Sequence, residues 1–96
     1  MNKPDAVEAK NLPPEDINYL LRKHGFRQKD IVKETKLSQP TISQVVNSQT
    51  VNLLAMDTIG RLVNRPPWTL WSDTYPGERN IQKWTQNMEN AVSQSI

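Results

Sequence analysis

Residues 28–47 read QKDIVKETKLSQPTISQVVN, and their apolar side chains fall where two short helices would have to touch. Ile31 and Val32 sit inside a charged segment that closes at Lys36-Leu37, which predicts a helix over 28–35. Ser38 then offers a side-chain acceptor to the first free backbone N–H groups of a second helix. Pro40 in that helix's first turn costs no hydrogen bond, because those donors have no intrahelical partner. Ile42, Val45 and Val46 follow at helical spacing. With Gln28 as the first of twenty residues, Ile31, Val32, Leu37, Ile42 and Val45 take positions 4, 5, 10, 15 and 18, the set that packs one helix on the other. Two short helices joined by a three- to four-residue turn make a helix-turn-helix.

The second helix has an unusual outward face. From Leu37 to Met56 the chain carries no charge, yet Ser38, Gln39, Thr41, Ser43, Gln44 and Asn47 are all hydrogen-bonding side chains. If Leu37, Ile42 and Val45 face a core, helical geometry puts Gln39, Pro40, Ser43, Gln44 and Asn47 on the exposed side. Such a face suits base edges: Gln is matched to adenine N6 and N7, Ser donates or accepts, and the Pro40 ring can touch a thymine methyl. We therefore take Gln39, Pro40, Ser43 and Gln44 as candidate base-reading residues.

The charge lies beside this face. Six cations and two acids between Arg22 and Lys36 make that segment +4, against a net charge of +2 for all 96 residues, so the remainder is −2. A local basic patch is the electrostatic footprint expected for nucleic acid, and equally what a solvated helix face would show. Arg27, Lys29, Lys33 and Lys36 flank the two helices and are candidate phosphate contacts, with Thr41, Asn47 and Ser48 as polar ones.

Working outward, residues 1–13 lack periodicity and, running into Pro13-Pro14, read as a flexible or extended arm that feeds a helix. Ile17, Leu20 and Leu21 form one stripe, acids fill the first turn and Gly25 is a stop, so a first helix is expected over 14–24. Leu53, Met56, Ile59, Leu62 and Val63 predict a further helical stripe, with Asn64 as its left-handed stop. RPPWTLW reads as a short fifth helix, and Ile81, Trp84, Met88, Ala91 and Val92 line one face of a sixth, amphipathic one. No segment alternates with a period of two, which predicts an all-α chain.

At QKDIVKETKLSQPTISQVVN and the following MDTIGRLVN, the chain resembles the helix-turn-helix family of phage Cro and repressor proteins. The resemblance spans roughly residues 15–71. It departs at Lys36, where the turn is usually glycine, at Val32, where the first helix usually has a small residue, and at Pro40, where many members offer a polar contact. It implies a five-helix lambda-repressor-like bundle over 14–72 with the third helix in the DNA major groove. It also implies that Gln28 contacts phosphate and braces Gln39. Residues 73–96 would then be a C-terminal helical extension and a candidate dimerisation element.

The function expected from this is a sequence-specific DNA-binding transcriptional regulator, a Cro-like phage or bacterial repressor that binds a palindromic operator as a homodimer. Candidate dimer contacts are Trp71, Tyr75, Ile81, Trp84, Met88 and Val92; the same stripe would equally serve to fold back on its own domain. The competing expectation is a protein-binding member of the same fold, a toxin-antitoxin component or antiterminator, acting through the Trp-rich C-terminal region. No convergent acid, base and nucleophile set marks an enzyme, and the single histidine, His24, reads as a helix-end cap. Without cysteine there is no disulfide or thiolate metal site. Neither cofactor, metal nor small-molecule ligand is expected, and with no membrane-length apolar run or secretory pattern the expected location is cytoplasmic.

Overall fold

The computed structural model describes the backbone of residues 10–94 and the side chains of residues 10–88. Six helices follow in order: α1 (Pro14–Lys23), α2 (Gln28–Thr35), α3 (Gln39–Val46), α4 (Leu53–Leu62), α5 (Pro67–Leu70) and α6 (Ile81–Gln94). The expected all-α class holds; the one extended feature among the described residues is an isolated antiparallel bridge between Asn11 and Trp71.

Local chemistry sets the helix boundaries. Ser38 Oγ accepts the Thr41 N–H at 3.2 Å, and Asn52 Oδ1 accepts that of Ala55 at 3.1 Å, so α3 and α4 each begin on a side-chain cap. The Asp30 carboxylate reaches back to the Arg27 N–H at 2.8 Å and closes the start of α2. Three helices end with a left-handed residue just past the last turn: Gly25 (φ 86°) after α1, Ser48 (φ 59°) after α3 and Asn64 (φ 58°) after α4. In each, the next N–H turns back to a carbonyl five residues earlier: Phe26 to Leu21, Gln49 to Gln44 and Arg65 to Gly60. Gly25 and Asn64 are the stops that the sequence predicts.

The turn between α2 and α3 is made without glycine. Lys36 adopts φ 64° there, while buried Thr35 donates its hydroxyl to Ile31 O at 2.7 Å and accepts the Leu37 N–H at 3.2 Å. A left-handed conformation costs an ordinary side chain roughly 1–2 kcal/mol, and glycine's extra freedom in the unfolded chain takes back about 0.5–1 kcal/mol. Lys36→Gly is therefore expected to stabilise the protein by about 0.5–1 kcal/mol in urea unfolding. A loss of stability would show that the lysine stem contributes packing to this turn.

The core is assembled from Ile17 and Leu21 of α1, Ile31 of α2, Ile42, Val45 and Val46 of α3, and Ala55, Met56, Ile59 and Val63 of α4. Leu70, Trp71 and Tyr75 close it from one end. Gly60 lets α5 approach, because a Cβ at that position would lie 2.8 Å from Arg65 O and 3.0 Å from Pro67 Cδ. The inward face of α4 differs from the expected stripe: Leu53 is 44% exposed and Leu62 only half-buried, while Ala55, Met56, Ile59 and Val63 point in. Leu53 is the first residue of the helix, and the face that meets α2 and α5 starts two residues later.

Two residues of the expected N-terminal arm belong to the fold. Leu12 N–H donates to Leu70 O at 2.9 Å, Asn11 Nδ2 donates to Thr74 Oγ1 at 3.1 Å, and Asn11 Oδ1 accepts the Asp73 N–H at 3.0 Å. Asn11 and Leu12 therefore belong to the folded body beside α5, and residues 1–9 lie outside the described part.

Candidate nucleic-acid interface

Burial of Ile42, Val45 and Val46 turns the opposite side of α3 outward. Gln39, Pro40, Gln44 and Asn47 are exposed and Ser43 is half-buried, so all the candidate base-reading residues share one uncharged face. Gln39 does not hang free on it. Its Nε2 donates to Gln28 Oε1 at 2.9 Å, and Gln28 Nε2 in turn donates to Asn18 Oδ1 at 3.1 Å. A chain of three amides thus runs from α1 through the first residue of α2 to the first residue of α3. Asn47 Nδ2 lies 3.4 Å from Ser43 Oγ, one turn back on α3. The Gln44 amide makes no side-chain hydrogen bond among the described residues.

Cations border this face on one side. Lys29, Lys33 and Lys36 are four and three residues apart, which gives them one stripe of α2 and its end. That stripe adjoins the Gln28 edge, which reaches α3, whereas Glu34 lies on the other side and pairs with Arg61 of α4 at 3.6 Å. Arg27, Lys29, Lys33 and Lys36 are all exposed, and none is in an ion pair among the described residues. Four positive charges with no acidic partner among the described residues, next to an uncharged polar helix face, put a positive edge beside a neutral centre. Thr41 is half-buried, its hydroxyl 2.9 Å from that of Ser38, so it is tied to the helix start.

Three expected assignments are corrected by burial. Ser48 Oγ is enclosed and has no hydrogen-bond partner among the described residues, because the left-handed turn after α3 folds its side chain inward; it is not presented to a phosphate. Trp71 is fully buried, and its Nε1 donates to Val45 O at 3.1 Å, so it anchors α3 rather than a second molecule. Tyr75 is 8% exposed and donates its hydroxyl to Asp57 Oδ1 at 2.6 Å, beside the tilted ring of Trp68 at 6.2 Å. Burial, and then the bond to Asp57, hold its phenol well above the ordinary tyrosine range. Arg79 locks the same loop by donating to Ser72 O and Tyr75 O at 3.0 and 3.2 Å.

The remaining dimer candidates lie on α6. Ile81 is 55% exposed, Trp84 and Met88 are half-buried, and the Val92 side chain lies outside the described residues. Trp84 and Met88 face Leu53, Leu54 and Trp68 across an open groove of about 430 Å³. Leu53 and Leu54 are themselves 44% and 52% exposed, so α6 covers this side of α4 incompletely.

The sequence did not single out Asn18. A polar residue next to Ile17 on the rim of an inward stripe is its one signal, and that signal says nothing of what it touches. Among the described residues no group of histidines and carboxylates is arranged to hold a metal, and no helix is long and apolar enough to cross a membrane. Comparison with protein-family models, with curated proteins and with solved structures found no match.

Proposed function

We propose that the chain is a sequence-specific DNA-binding transcriptional regulator that inserts α3 into the major groove of duplex DNA. On this reading α1 to α5 form a five-helix, lambda-repressor-like helix-turn-helix bundle of the Cro and repressor type, and α6 is an addition to it. The observation that carries the reading is the Gln39–Gln28 hydrogen bond at 2.9 Å, on an uncharged face bordered by cations that make no ion pair among the described residues. A side chain that must contact a base pays less ordering entropy when it is already held. The division of labour follows: Arg27, Gln28, Lys29, Lys33 and Lys36 position the protein on phosphates, and Gln39, Pro40, Ser43 and Gln44 read bases. No covalent chemistry is assigned to the molecule, and its place of action is the cytoplasm of a bacterial cell, where the DNA lies.

One such helix contacts few bases, so the proposed working form is a two-fold dimer on a palindrome with half-sites about 34 Å apart. The exposed Ile81 beside Trp84 and Met88 supports α6 as the contact. A second reading, a protein-binding member of the same fold, is favoured by the open groove between α4 and α6.

Titrating salt against binding of a labelled duplex separates the two. Four phosphate-neutralising cations per protomer predict that log K falls with log salt with a slope of about −3 to −4 per protomer bound. Affinity should thus drop roughly 100-fold per protomer between 50 and 200 mM salt. Absence of duplex binding at low salt would leave the protein-binding reading in its place.

A further inference from the structure

We propose that Asn18 is a specificity-determining positioning residue, which acts on a base through Gln28 and Gln39 without touching the DNA. The inference rests on the DNA-reading function proposed above. A carboxamide has two nearly equal orientations, differing by exchange of its oxygen and nitrogen. Exposed on a helix, Gln39 alone would sample both. Here one Nε2 hydrogen is engaged by Gln28 Oε1, which leaves the second hydrogen and the whole carbonyl for a partner. One donor beside one acceptor is what adenine N7 and N6 require.

Gln28 is a symmetrical amide as well, so its bond to Gln39 does not fix the direction of the chain. The half-buried Asn18 ends the chain, and which of its own two amide atoms it presents to Gln28 sets the direction; here that atom is Oδ1. Its Oδ1 accepts Gln28 Nε2 at 3.1 Å, and with that bond made Gln28 turns Oε1 towards Gln39. Removing the acceptor lets Gln28 turn over and offer its N–H to Gln39. Gln39 would then have to turn over as well, with its carbonyl engaged and both hydrogens outward. The two states present different hydrogen-bond patterns to the same base, and linked bonds of this kind reinforce one another.

The test compares wild type, Asn18→Ala, Asn18→Asp and Gln39→Ala on a set of duplexes, each carrying one changed base pair of the preferred site. The position at which Gln39→Ala abolishes preference is the one Gln39 reads. Asn18→Ala is expected to lower the preference at that position about five- to tenfold, part of the discrimination of a bidentate pair. Preference at the position read by Gln44 should stay unchanged, and any weakening through the Gln28 phosphate contact should fall on all duplexes alike. Asn18→Asp keeps an acceptor in place, so it should restore the ratio to within about twofold, even if its charge weakens all duplexes alike. A merely structural role would lower every affinity together and would not be rescued by aspartate. The proposal is overturned if Asn18→Ala keeps full preference while Gln39→Ala loses it, or if Asn18→Asp behaves like Asn18→Ala. A wild-type protein with no preference at any position would instead overturn the DNA-reading function. Should Asn18→Ala not fold, Asn18→Ser, which is too short to reach Gln28, gives the same comparison.

Discussion

Trp71→Ala is expected to lower the free energy of unfolding by about 3–5 kcal/mol, the usual cost of deleting a buried large aromatic. Trp71 is the largest side chain in the fully buried set and sits where α5, the Asn11–Leu12 segment and α3 meet. Most of the loss is packing. Val45 O also accepts the Ser48 N–H at 3.0 Å, so removing the indole N–H does not leave that carbonyl unpaired. Small domains have only about 5–15 kcal/mol in total, and each 1 kcal/mol moves the melting temperature of a domain this size by about 4–8 °C. A thermal midpoint at least ~12 °C lower, independent of protein concentration, is the expected result. Trp71→Phe should lose far less, since it keeps most of the volume. A small loss that depends on concentration would return Trp71 to the role of an interface anchor.

Gln39→Ala and Gln44→Ala are each expected to reduce base discrimination by roughly 1–3 kcal/mol, a factor of about 5 to 150, at separate positions of the site. Neither should alter binding to unrelated duplex or the salt slope, because neither carries charge. Gln39 is held by Gln28 before binding, whereas Gln44 must be ordered on the DNA. Gln39→Ala should accordingly cost more. Competition assays with single-pair variants of the preferred duplex measure both effects. Equal loss on all sequences would mean that these side chains only pack against the backbone of the DNA.

The sequence carries α2 and α3 so clearly because each constraint on them is local. Ile31, Ile42 and Val45 recur at helical spacing, Ser38 caps its own helix, and Gly25 and Asn64 take left-handed turns for reasons confined to one residue. Apolar periodicity cannot tell a core from an interface, and so Trp71 and Tyr75, buried on their own chain, were readable as dimer contacts. Leu53 misled in the opposite sense: it fits the stripe by spacing, but it stands at the first position of α4, before the helix reaches its neighbours. The pairing of Asn11 and Leu12 with Leu70–Thr74 joins residues some sixty positions apart, and no pattern within either segment reports it. Ser48 shows the limit for polar residues, since its type suits a phosphate while the turn it makes hides the hydroxyl.

The candidate site was legible in part for the same reason. An uncharged amide face beside a basic stripe follows from counting residues along α2 and α3. The hydrogen bonds that organise the face do not, because they depend on where α1 crosses the start of α2. Asn18 becomes visible only once the helices are packed.

Selection of bound duplexes from a random pool tests the central claim most directly. The account predicts enrichment of a two-fold palindrome with half-site centres about 34 Å apart, one helical turn. It also predicts an adenine in each half-site whose preference disappears when the selection is repeated with Gln39→Ala. Recovery of no common sequence, or of one that Gln39→Ala selects equally well, would contradict it.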